Sequence, residues 1–124
     1  MIASPKQRSE QSQQRAIYEL HGLWKGYDIR LKAIYSSKGR MYSYYVLKQQ
    51  RIIVGFDNYP DRQVLKQKYG QQFNQHLSDL ISHKHSLDKQ TVELTKFIDI
   101  KSFFEWLEAT LPTYLQSVGF DQEI

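Results

Sequence analysis

The chain is 124 residues long, 40% hydrophobic and 24% charged, with seventeen Lys and Arg against thirteen Asp and Glu and no cysteine. That length sets an expectation of one domain, because domains commonly run to about 100–150 residues, and the composition argues against wholesale disorder. The absence of Cys removes disulfides and thiolate metal sites and fits a reducing cytoplasm, and no stretch approaches the ~20 apolar residues of a membrane-spanning helix.

Met1–Arg15 is polar and rich in Gln, lacks the apolar centre of a secretion signal, and reads as a flexible arm ahead of a single domain at 16–124. Ala16, Ile17 and Leu20 give a weak apolar face at helical spacing, so the arm is expected to turn helical over Glu10–Leu20. From Tyr27 the period becomes two. Tyr27, Ile29, Leu31, Ala33 and Tyr35 alternate with Asp28, Arg30 and Lys32, as in a strand with one buried and one wet face. Met41–Leu47 and Ile52–Phe56 follow as β-rich runs, separated from their neighbours by Ser36–Arg40 and Gln49–Arg51. Connections this short require an antiparallel meander.

Downstream, Asp61 is placed to cap a helix over Arg62–Tyr69 with Gly70 at its stop position, and Phe73, Leu77, Leu80 and Ile81 predict a second short helix over Gln71–Ser82. His83-Lys84-His85-Ser86 reads as a polar loop, and Thr91–Ile98 as a fourth strand with Val92, Leu94 and Ile98 inward. Ile100, Phe103, Phe104, Leu107 and Leu111 recur at helical spacing behind Asp99 and ahead of Pro112, which predicts an amphipathic terminal helix. The expected fold class is therefore α+β: an antiparallel meander of three to four strands packed against a C-terminal amphipathic helix, with short helices between strands three and four.

The net charge of +4 averages two unlike halves. Residues 1–70 hold thirteen basic against five acidic residues, and residues 71–124 hold four against eight. A basic, strand-rich half points to an anionic partner.

Three segments, Tyr42-Ser43-Tyr44-Tyr45, Ile53-Val54-Gly55-Phe56-Asp57-Asn58 and His83-Lys84-His85, occur in an order and setting that resembles the TumE-like proteins, toxins of bacterial toxin–antitoxin pairs. The resemblance covers roughly Tyr27 to Leu111. It implies a small toxin acting on RNA and paired with a cognate antitoxin. A second copy of the chain is a further candidate partner, and the lack of a long apolar stretch sets an expectation of no membrane.

His83 and His85 are the first candidates for chemistry. In an extended segment they share a face, with Lys84 opposite. A metal-independent ribonuclease needs a base for the 2′-hydroxyl, an acid for the leaving oxygen and a cation for the phosphorane; the histidines suit the first two roles and Lys84, Arg62 or Arg51 the third. The same tripeptide also suits a solvated loop or a phosphate-binding element. Asp57-Asn58 fits a turn that bonds nearby backbone amides, while Asp57 could alternatively orient one of the imidazoles. His83, His85 and Asp57, with or without His76, would also make an N/O ligand set for zinc or manganese, although no ligand spacing is diagnostic and the working reading carries no metal or cofactor. Tyr42 and Tyr44 share one strand face, where they either fill the core or stack bases among Arg30, Lys32, Arg40, Lys48, Arg51 and Lys84. The functional expectation is an RNA-targeting toxin that uses His83 and His85 with Asp57 and Arg62. Its competitor is a non-enzymatic adaptor that binds nucleic acid or protein through the arm and the Trp106 helix; a small-molecule enzyme has no cofactor motif to support it.

Overall fold

The computed structural model describes residues 2–86 and 91–118. Among them, seven strands form one antiparallel sheet in which each strand pairs with its neighbours in sequence: β1 Ala3–Gln11, β2 Arg15–Trp24, β3 Tyr27–Ser36, β4 Gly39–Lys48, β5 Arg51–Asp57, β6 His83–Ser86 and β7 Thr91–Leu94. Helix α1 (Arg62–Tyr69) lies between β5 and β6, and α2 (Ile100–Ala109) and α3 (Leu111–Val118) close the chain. The class is α+β as expected. No helix among the described residues is long and apolar enough to cross a membrane.

The three central strands fall where the alternation places them, and the sheet continues beyond them on both sides. Ala3–Gln11 of the arm form strand β1, which pairs with β2 from Ala3↔Leu23 to Gln11↔Ala16 and is exposed along its length. Its backbone ladder holds it, together with Arg8, which contacts both Glu10 and Glu19. The helix expected over Glu10–Leu20 is instead the end of β1 and the start of β2. Tyr18, Leu20 and Trp24 pack into the core at period two, whereas Ile17, buried on the opposite face, produced the misleading helical spacing.

Two tight turns carry positive φ angles, as the right-handed twist of hairpins favours. Lys25 and Gly26 join β2 to β3 at φ 49° and 85°. Gln49 and Gln50 join β4 to β5 at φ 51° and 65°, a left-handed conformation that costs a non-glycine residue about 1–2 kcal/mol. Gln50→Gly is therefore expected to raise the unfolding free energy by about 1 kcal/mol after the entropy of the unfolded glycine is discounted. Urea titration would show it as a higher midpoint, and an unchanged or lower midpoint would contradict it.

Helices α2 and α3 cover one face of the sheet. Phe103, Leu107, Leu111 and Leu115 bury against Leu20, Ile29, Leu31, Tyr42, Tyr44, Val46 and Phe56. Asp99 caps α2 by accepting the Ser102 amide at 2.8 Å, and the single predicted helix is two, because α2 ends at Ala109 and Pro112 sits in the first turn of α3. On the opposite face α1 begins as predicted, with Asp61 accepting the Val64 amide at 3.1 Å and Gly70 at its C-cap with φ 61°. Its Val64 and Leu65 form a second, smaller core with Ile81, Tyr69, Phe73 and Val92.

The helix expected over Gln71–Ser82 is reduced to a 3-10 segment at Gly70–His76. Leu77 faces water, Leu80 is half-buried, and Phe73 and Ile81 join the small α1 core, so no continuous apolar stripe holds a longer helix. The His-Lys-His loop is strand β6, and the expected Thr91–Ile98 strand stops at Leu94, which is exposed.

Candidate functional site

The sheet brings the sequence's candidate residues together through register. Because directly paired residues share a face, two rungs run across the side of the sheet away from α2 and α3. One joins Arg8, Glu19, Lys32, Ser43, Asp57 and His83; the other joins Lys6, His21, Arg30, Tyr45, Gly55 and His85. Asp57, His83 and His85 lie at the β5–β6 end of these rungs. Arg30 and Lys32 lie on β3, about 14 Å from β6 across three strand spacings.

Asp57 is the hub. Its Oδ1 lies 3.1 Å from His83 Nε2 and its Oδ2 lies 3.2 Å from His85 Nε2. The Tyr45 hydroxyl donates to Oδ2 at 2.8 Å and the Tyr59 amide donates to Oδ1 at 3.0 Å. One carboxylate oxygen closes the turn through the Tyr59 amide, and the carboxylate as a whole contacts both imidazole rings. Asn58 belongs to the scaffold. Its side chain accepts from the Tyr42 amide at 2.8 Å and donates to the Arg40 carbonyl at 2.7 Å, extending the β4–β5 ladder by one residue.

Burial sets the electrostatics. Burial by itself raises the Asp57 pKa, but the hydrogen bonds from His83 and His85 outweigh it and hold the carboxyl well below its usual range. Burial likewise pushes the His83 imidazole down, and the hydrogen bond to Asp57 with its charge reverses this and leaves it above the ordinary value. Burial also pushes the Tyr45 phenol up, with the Asp57 charge adding to it, so this hydroxyl stays a donor. His83 is 1% exposed and His85 5%. His83 Nδ1 is fixed at 2.6 Å from the Ile81 carbonyl, whereas His85 Nδ1 is buried without a partner. The rings meet edge to face, with centroids 4.6 Å apart. A cleft of about 400 Å3, lined by Ser43, Tyr45, Tyr59, Gln63 and Val92 among others, opens the cluster to solvent.

Gly55 shapes this end of the sheet, and its role is absent from the sequence expectations. It pairs with Tyr45 on one side and His85 on the other, and a methyl group there would sit 2.0 Å from Cε1 of the Tyr45 ring. The signal is a glycine inside an otherwise apolar strand, which marks close approach of another group. Gly55→Ala is expected to push Tyr45 off Asp57 and lower stability by about 1–3 kcal/mol; retention of wild-type stability in urea denaturation would contradict this account.

The remaining candidates are dispersed. Lys84 points to the other face of β6, paired with Glu93 at 2.9 Å and lying over the Tyr114 ring. Arg62 is exposed at the start of α1 with its guanidinium over Phe73, and it does not line the cleft. Tyr42 and Tyr44, each 2% exposed, stack on one another in the core, so they present no surface to bases. Arg40 lies over Tyr35 and Phe97, and Lys48 over Tyr27 at the β4–β5 hairpin with Arg51. His76 stacks on Tyr69 and pairs with Asp79 at 2.8 Å, apart from the cluster. Of the expected nucleic-acid-binding set, Arg30 and Lys32 share the site's face.

In comparisons with known proteins, the chain matches no family model, no curated protein and no solved structure.

Proposed function

We propose that the chain is an RNA-targeting protein, the toxin of a toxin–antitoxin pair, with Asp57, His83 and His85 as its reacting centre. The observation that carries this reading is the convergence of those three side chains, drawn from separate segments, around one carboxylate at the base of an open cleft. Arg30 and Lys32 on the same face would neutralise the phosphates of a strand leading into the cleft, and an antitoxin would act by covering that face. An acid and a base working on opposite sides of a phosphate need a gap between them. Here both Nε2 atoms address one carboxylate, so the chemistry belongs to the cluster as a unit rather than to two independent imidazoles.

Incubation of purified protein with total RNA tests the enzymatic reading. Cleavage by wild type and its loss in His85→Gln is the expected result; intact RNA with wild type, or cleavage unchanged in the variant, would refute it.

The burial of His83 and the saturation of Asp57 by four donors favour a second reading, a non-enzymatic nucleic-acid- or protein-binding adaptor in which the cluster fastens β6 to β5. His85→Gln would then bind RNA normally, while Arg30→Glu with Lys32→Glu would lower the log–log salt slope by about two.

A further inference from the structure

We infer that Asp57, His83 and His85 bind one divalent transition metal ion of the zinc class, through the two Nε2 atoms and a carboxylate oxygen. The inference concerns the same cluster as the proposed function but rests on ligand geometry alone, whatever the substrate is.

Three features of the cluster support it. The donor atoms all lie within 4.8 Å of one another, and the carboxylate oxygens stand 3.1 and 3.2 Å from the two nitrogens. Ligands bonded to a common ion at about 2.0–2.2 Å are separated by about 2.9–3.5 Å, so the two carboxylate–nitrogen spacings match ligand edges and the widest separation needs to contract by roughly 1 Å on binding. The second feature is the anchoring of His83. Its Nδ1 faces the Ile81 carbonyl, which only accepts, so that nitrogen carries the hydrogen. With the hydrogen on Nδ1, the neutral ring presents its Nε2 lone pair on the Asp57 side, where a metal ion can take the place of the proton that joins the two groups. A backbone carbonyl fixing the far nitrogen is how metal-binding imidazoles are commonly held. The third feature is preorganisation and access. Asp57 is pinned by Tyr45 and Tyr59, and the cleft leads to the cluster from solvent.

The donor set decides the class of ion. Two imidazole nitrogens and one carboxylate suit zinc, cobalt or nickel, whereas magnesium and calcium take oxygen ligands. Three protein ligands leave at least one position for water or a phosphate oxygen, as in catalytic rather than structural sites.

The test is calorimetric titration of the full chain, stripped with EDTA and dialysed, with Zn2+, Co2+ and Mg2+ in turn. One equivalent of Zn2+ or Co2+ is expected per chain, with a raised unfolding temperature and visible d–d absorption for Co2+, and no response to Mg2+. His85→Gln should weaken binding by more than about 100-fold, beyond the range of outer-shell changes, while His76→Gln leaves it unchanged. Circular dichroism establishes that each variant is folded, and the wild-type titration decides the question even if His85→Gln is not. Absence of Zn2+ and Co2+ binding to wild type, or binding retained by folded His85→Gln, would overturn the inference. Binding without RNA cleavage upholds the metal site and removes the ribonuclease reading; cleavage by a protein that binds no metal does the reverse.

Discussion

Asp57→Ala is expected to lower the unfolding free energy of the metal-free protein by about 3–5 kcal/mol, the range for removing one partner of a buried ion pair. The carboxylate accepts from His83, His85, the Tyr45 hydroxyl and the Tyr59 amide, and alanine leaves all four donors without it. A buried polar group left unpaired costs about 1–3 kcal/mol. Water entering through the cleft and loss of the His83 proton hold the total below the sum of four such terms. Asp57→Asn keeps the shape and part of the acceptor capacity, so its loss should be smaller. Urea denaturation in EDTA measures both. A loss below about 1 kcal/mol for the alanine variant would show that the four donors find other partners and that Asp57 is not the hub.

Phe103→Ala should cost a similar amount, about 3–5 kcal/mol, for an unrelated reason. Its fully buried ring contacts Tyr44, Phe56, Phe104 and Trp106, with centroids 5.3, 6.0, 6.0 and 6.4 Å away. It stands where α2 meets the middle of the sheet, and its removal leaves a cavity that rigid strands cannot collapse to fill. The cleft lies on the other face, so at low denaturant the folded variant should keep the chemistry of the Asp57 cluster while its midpoint falls. If the midpoint moves little, Phe103 is not what fastens α2 to the sheet. If cluster chemistry fails in the folded variant, the two faces are not independent.

The sequence makes the central strands and helix starts legible because each rests on a local rule: period two from Tyr27 to Ala33, the Asp61 and Asp99 caps, and glycine after Tyr69. Strand β1 was not legible, since nothing in it is buried and its order comes from pairing that leaves no hydrophobic trace. Strand β6 was obscured because its inward residues are His83 and His85, so the burial that marks a strand is carried by polar side chains. The alternation of His83 and His85 about Lys84 was readable, but their meeting with Asp57 depends on register across β5 and β6. The reading of Tyr42 and Tyr44 as a base-stacking surface failed because strand parity identifies shared faces without saying which face the helices cover.

The unbroken agreement between strand order and chain order also bears on how the molecule reaches this state. Each of the first four hairpins joins neighbours through a short turn, so most of the sheet can form by successive local closures, a topology of low contact order that favours rapid folding. The β5–β6 pairing is the exception, for α1 and the 3-10 segment intervene and that loop must close before the strands can register. Hydrogen-exchange protection during refolding should therefore arrive at β3 and β4 first. His83 and His85 would reach Asp57 only in the last steps, so the chain would acquire its chemistry after most of its shape.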